Sequence, residues 1–407
     1  MSEAELLRTG TMTRIRKWQG IALLSYSFRP FFLVGALHAA IMLALWVPWH
    51  LGWLWLPSAL PPAAWHAHEL LFGFVPAVVA GFLLTAVPNW TGRLPIAGWP
   101  LAGLVGLWAL GRLAISASLG LSPAFVAALS LTFPLALALV IAREIVAGSN
   151  WRNLKVLGAV LMIGVAQALF HYEIWLDGRA LYADRLAVAT TLTLIMIVGG
   201  RIVPSFTTNW LKKENPGPLP EPFGRFDKAA MAAAVLALAG WVAAPALPRA
   251  APAIGLLMLA AGALQLARQS RWQPHRTLAE PLVAVLHVGF AFVPIGFLLG
   301  GGALALGADA ASVAATHAWT VGAIGIMTLA VMTRATRGHT GQALKAPPST
   351  VAIYGLMLAA VVSRLAAAFL PTIAAPALGL AGIAWIGAFG LFVALYGPLL
   401  LRRKPAA

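Results

Sequence analysis

The chain has 407 residues, 60% of them hydrophobic and only 10% charged, with a mean hydropathy of +0.85. A soluble domain carries about a quarter charged residues, so a soluble architecture is excluded. The formal net charge of +16 invites a nucleic-acid reading, but the placement of the charges gives it a different cause, set out below.

Apolar runs of about 20 residues recur along the whole chain. Each is long enough, at 1.5 Å per residue, to cross a hydrocarbon core of about 30 Å. Backbone groups in lipid must satisfy one another, so the runs are expected to be helices. In chain order the spans fall near 30–49, 67–88, 98–117, 122–142, 154–175, 185–203, 228–246, 252–268, 280–300, 310–333, 349–370 and 377–401. Pro61-Pro62, Pro95, Ser149-Asn150, the stretch 212–222, Gln273-Pro274 and Pro347-Pro348 separate them. The expected fold is all-α: a polytopic bundle of about twelve transmembrane helices, as a single domain over 30–401 between an N-terminal segment 1–29 and a tail 402–407. The first twenty residues are polar and basic and show no signal-peptide core.

With that layout, 23 of the 28 Lys and Arg fall on the side of the N-terminus, leaving Arg112, Arg179, Arg185, Arg249 and Arg364 for the other. The positive-inside rule then places both termini in the cytoplasm. The basicity is therefore topological, and no nucleic-acid partner is expected. The absence of cysteine rules out disulfides, thiolate metal ligands and covalent haem attachment.

Polar side chains in lipid need a reason, and the histidines are the most informative. Trp65-His66-Ala67-His68-Glu69 opens the second span from outside. His171, followed by Tyr172 and Glu173, closes the fifth, and His317 lies about two turns into the tenth. Counting along the spans puts His66, His68, His171 and His317 in the outer quarter of the membrane, with His38 and His287 nearer mid-depth. A lone interfacial histidine is commonly just a hydrogen-bonded surface residue, which suits His50. An H-x-H pair beside a carboxylate is harder to dismiss, and imidazole is a common ligand of haem, copper, iron and zinc. On a regular helix the two members of the pair point roughly 200° apart. Unless the helix start is unwound, only one can then serve a given metal.

A second polar layer lies at the inner exits of spans two, six and ten. There the runs 85–93, 199–210 and 332–341 share Thr and Arg, the first two also Pro and Asn-Trp. Ordinary interface chemistry explains much of this. The functional reading is a polar vestibule, with Arg93 and Arg201 among its residues, that binds an anion, a cofactor carboxylate or a partner. The exits recur every four helices, which suggests a four-helix unit used three times, although identities are few and the middle unit lacks a matching histidine.

The WHAHE opening, the run GFLLTAVPNWTGR, the run GGRIVPSFTTNWL, the late run from His317 to Gly341 and SYSFRPFF ahead of the first span together resemble the NnrS family over nearly the whole chain. The resemblance implies a bacterial inner-membrane protein of nitric oxide metabolism or resistance, carrying haem and, as a second metal, copper. The layout is also distantly similar to the core subunit of haem–copper oxidases and nitric oxide reductases, whose second and tenth helices supply the two axial histidines of a haem. Here those helices carry His66 or His68, and His317. The histidines that such enzymes place on helices six and seven are missing.

The expectation that follows is a non-covalent b-type haem at His68 and His317. His66 and His171 come next as ligands, then His38 and His287. Nitric oxide would be the ligand, lipid the surroundings, and the electron donor is unidentified. Whether the protein is an enzyme stays open; as an oxidoreductase it would use Glu69, Glu173 or Tyr172 as proton relays, and outer-side arginines would pair with haem propionates. The competing expectation is a secondary transporter for a metal or small anion, which twelve helices with repeats would also suit.

Overall fold

The computed structural model describes residues 18–91 and 95–402. Among the described residues, twelve helices are long and apolar enough to cross a membrane: α1 Phe28–His50, α2 Pro62–Val87, α3 Trp99–Ser116, α4 Pro123–Ala147, α5 Trp151–Asp177, α6 Tyr182–Glu214, α7 Arg225–Ala246, α8 Pro248–Ser270, α9 Pro281–Leu306, α10 Ala310–Thr340, α11 Pro348–Phe369 and α12 Pro371–Leu401. The described residues contain no strand. The chain is thus an all-helical, multi-pass membrane protein.

Local chemistry sets the ends. Pro123 and Pro281 stand at the first position of α4 and α9, where a missing N–H costs nothing. The side chains of Ser122 and Glu280, one residue earlier, accept from the backbone N–H of Phe125 and Leu282. Gly178 and Gly307 close α5 and α9 at φ 68° and 67°, a left-handed conformation that a side chain disfavours. Two helices outrun their apolar cores. The exits of the sixth and tenth spans stay helical to Glu214 and Thr340 rather than ending near 203 and 333. The second begins at Pro62, about a turn before the expected start.

The helices form two compact units. The first contains residues 18–91 and 95–187, 339–341 and the last turns of α12; the second contains 188–338 and 342–391. In the first, α1 packs on α2, α2 on α4, and α4 on both α3 and α5. One Arg29 nitrogen donates to the carbonyls of Leu399, Leu400 and Arg402, tying the start of α1 to the end of α12. In the second, α7 to α11 pack successively. Arg276 donates to the carbonyls of Asn215, Pro216 and Pro218 and so clasps the loop after α6. Glu221 in that loop hydrogen-bonds Arg271 and raises the guanidinium pKa above its ordinary value.

Two segments depart from α geometry: the π-helices Glu69–Phe74 in α2 and Ala318–Gly325 in α10. Each begins at the residue directly after a histidine, His68 and His317, and each has a glycine five residues beyond it, Gly73 and Gly322. In α2, Pro76 lacks the N–H that would close an ordinary turn, which helps widen the helix. α6, the middle member of the expected repeat, lacks the histidine and is α throughout.

Candidate functional site: a buried histidine–carboxylate cluster

The first turns of α2 carry a buried polar cluster. Glu69 is fully buried, and a bare carboxylate there would be very costly. Two hydrogen-bond donors meet the carboxylate and a third group stands close to it, with Oε2 itself left without a hydrogen-bond partner. Arg112 on α3 donates from Nη1 to Oε1 at 2.7 Å, His68 Nδ1 lies 3.1 Å from the same oxygen, and His38 Nε2 on α1 lies 3.2 Å from Oε2. His38 Nε2 is also 3.1 Å from the Glu69 carbonyl. Both of its neighbours are acceptors, so this nitrogen carries the proton.

His68 Nδ1 has the Glu69 carboxylate at 3.1 Å, nearer than the Arg112 Nη1 donor at 3.5 Å. A carboxylate can only accept, so Nδ1 is the protonated nitrogen and Nε2 holds the lone pair. Nε2 is buried and has no hydrogen-bond partner. The ring sits among Phe72, Phe170 and His171, with centroids 5.3, 4.9 and 5.3 Å away. His171 Nε2 is 2.6 Å from Ser130 Oγ on α4. Gln167, one turn earlier on α5, donates to the Ser130 carbonyl at 3.1 Å.

The π-helix and its glycine make room for this cluster. A Cβ on Gly73 would stand 2.6 Å from His38 Nε2 and 2.9 Å from Arg112 Nη1, closer than real contacts allow. The Gly73 carbonyl accepts from the indole N–H of Trp108 at 2.9 Å.

In the second unit, His317 is half-buried at the matching point of α10. Its Nδ1 is 2.8 Å from the Val313 carbonyl. A carbonyl only accepts, so Nδ1 again carries the proton and Nε2 the lone pair. The carboxylate is missing, because Ala318 occupies the position that Glu69 holds in α2. His287 is placed differently. It lies six residues from the start of α9, and its Nε2 is 2.8 Å from Thr207 Oγ1. Its carbonyl accepts from Gln269 at 2.6 Å. His38 lies 12 residues before the end of α1 and His287 19 before that of α9.

The remaining expected residues are dispersed. His66 stacks on Trp46 at 4.1 Å and does not join His68, because the pair lies on a regular helical turn, Pro62–His68. Glu173 accepts from the backbone N–H groups of Leu181, Tyr182 and Ala183 at 2.9–3.0 Å, so it caps the start of α6. Tyr172 is exposed, with Trp175 as its ring neighbour. Arg201 is exposed on α6. Arg334 stacks on Phe206, 4.1 Å from the ring. Arg93 lies outside the described residues. Among those residues, no three or more His, Asp or Glu side chains gather into a metal cage.

Several participants were missed from sequence. Arg112 entered only as one of five outer charges, although a lone arginine inside an apolar span is itself a signal. Trp108, Ser130 and Gln167 carry no linear pattern that marks them.

The protein-family model described as NnrS protein matches residues 22–404 of the chain. A comparison with curated proteins finds no match.

Proposed function

Because the chain belongs to the NnrS family, a family of nitric oxide-related membrane proteins, we propose that it binds nitric oxide or passes electrons to it at haem iron, with His68 the candidate ligand in the first unit and His317 the candidate ligand in the second. The observation that carries this reading is the buried, unpartnered Nε2 of His68. Its Nδ1–H is engaged by a carboxylate, the arrangement by which proteins orient a metal-bound imidazole. His317 has the same tautomer, with a backbone carbonyl in place of the carboxylate.

A haem takes its equatorial donors from the porphyrin, so one or two histidines suffice. A bare copper ion would need the cage that the described residues lack, which favours a non-covalent b-type haem. Bound there, the haem supplies one-electron chemistry and an iron that binds nitric oxide. The chain's own residues supply the rest: His68 and His317 as ligands, with Phe72 and Phe170 as an apolar surround for His68. Glu69 is held ionic by Arg112, which suits an acceptor that orients His68 better than a proton carrier. The same pairing removes Arg112 from the arginines available to propionates. Nitric oxide is uncharged and partitions into lipid, so a buried site needs no aqueous entry. The electron donor would be a separate protein or a membrane carrier.

The test is the haem content and visible spectrum of wild type, His68→Ala and His317→Ala, each checked for monodispersity. Wild type should show a Soret band, and each variant should lose haem or change spin state. Full haem with unchanged spectra in both variants would exclude these two ligands, and a colourless wild type would exclude haem.

We also infer a bacterial inner-membrane location, as the family resemblance implies, with both termini in the cytoplasm, from the 23-to-5 split of basic residues. A cysteine placed at Pro218, in the exposed loop after α6, should resist impermeant thiol reagents in intact cells. Efficient labelling there would reverse the orientation.

A further inference from the structure

The two histidines that follow the same local rule differ in what stands behind them. His68 Nδ1 faces the Glu69 carboxylate at 3.1 Å, and His317 Nδ1 faces the neutral Val313 carbonyl at 2.8 Å. An imidazole whose N–H points at a carboxylate is a stronger donor through its other nitrogen than one that faces a carbonyl.

The carboxylate is not free to act alone. Arg112 shares Oε1 with His68 at 2.7 Å, and its side chain is 9% exposed against 0% for Glu69. Coulomb attraction at that distance is strong in a medium that water does not screen. Arg112 therefore pulls charge away from the oxygen that His68 uses. His38 Nε2 stands 3.2 Å from Oε2 while its hydrogen bond goes to the Glu69 carbonyl. Gly73 admits both donors. Nothing comparable stands behind His317: its Nδ1 contact is with its own helix, and Arg364 makes no ion pair among the described residues.

We infer that Glu69, set between Arg112 and His38, is a positioning residue that makes His68 the more electron-donating of the two histidines, and that Arg112 moderates its strength. The protein thereby holds two unlike ligand positions, one tuned by a buried ion pair and one fixed by backbone. This rests on His68 being an iron ligand.

The inference has a signature that mere structural support lacks, because the two partners should act in opposite directions. Donation from His68 stabilises ferric over ferrous iron. Glu69→Gln keeps the shape and an acceptor oxygen but removes the charge, so the haem midpoint potential should rise. Arg112→Gln frees the Glu69 charge, so the potential should fall. Arg112→Lys keeps the positive charge and should return it towards the wild-type value. The double variant Glu69→Gln/Arg112→Gln leaves no buried unpaired charge, which guards against loss of a single variant to misfolding; it should stay close to Glu69→Gln.

The experiment is a redox titration of haem-loaded protein in detergent, with ferric g-values by electron paramagnetic resonance as the second readout. Opposite shifts in the two single variants, with recovery in Arg112→Lys, support the inference. Shifts of the same sign, or none, in variants that retain full haem overturn it. Should His68→Ala also keep its haem with an unchanged spectrum, the ligand assignment falls with it. If His68→Ala loses haem while Glu69→Gln leaves the potential unmoved, the tuning role alone is lost.

Discussion

The turn after His68 and the turn after His317 are built alike and furnished differently. Both begin a π-helix directly after a histidine, and both place a glycine five residues on. Insertions of this kind are frequent at functional sites. In α2 the turn brings an ionised carboxylate, an arginine and a second histidine to bear on His68. In α10 the same turn leaves His317 with only a carbonyl of its own helix. The comparison teaches that the widened turn and the polar network are separable. The first follows from local sequence around the histidine, and the second depends on what neighbouring helices deliver.

The comparison breaks most readily at its charges. Arg112→Leu would leave Glu69 buried without a counter-ion, which typically costs about 3–5 kcal/mol. Arg364→Leu, on the side without an ion pair, should cost far less. Thermal unfolding of both variants in one detergent measures the difference, and equal losses would show that Arg112 does no more for its unit than an unpaired interfacial arginine.

A smaller contrast is expected at the two glycines. In Gly73→Ala the new methyl meets His38 and Arg112, and in Gly322→Ala it meets the Phe292 ring 2.5 Å from its Cγ. Overpacking of this kind costs about 1–3 kcal/mol in either place. Only Gly73→Ala should alter the haem spectrum through His68. A spectrum disturbed equally by both substitutions would mean that the turns, rather than the polar contacts, govern the ligands.

The smallest effect is expected at Glu173, another buried carboxylate of the first unit. Glu173 supports backbone N–H groups at the start of α6, not a histidine. Glu173→Gln should lower stability by about 1 kcal/mol, as loss of a helix cap does, and leave haem content unchanged. Haem loss in this variant would return Glu173 to the site.

Tyr26, ahead of α1, adds a pH test that is independent of the haem. Burial pushes its phenol up to about 12, whereas an unfolded tyrosine titrates near 10. A raised folded value means stability that is complete below about pH 10 and is lost as pH rises towards about 12. Tyr26→Phe should flatten that decline, measured as unfolding temperature against pH; an unchanged profile would assign the decline to other groups.

Much of the fold was legible because lipid imposes a simple rule. A backbone with no water must pair with itself, so twelve apolar runs meant twelve helices. Even their order and the placement of Glu69 beside His68 could be read along the chain. The sequence also showed His38, His171 and His317 as polar groups in apolar spans. It could not say that His38 reaches Glu69 while His66 does not, because a side chain's neighbours depend on how helices face one another. The position of Arg112 in the third span was visible, but its distance from Glu69 was not. Tertiary packing alone decided that Glu173 turns to the α6 backbone and that His68 Nε2 is left buried without a partner. Periodicity and composition record which residues avoid water; only packed helices determine which buried polar groups find one another, because a buried charge must be matched by whatever group a neighbouring helix brings within reach.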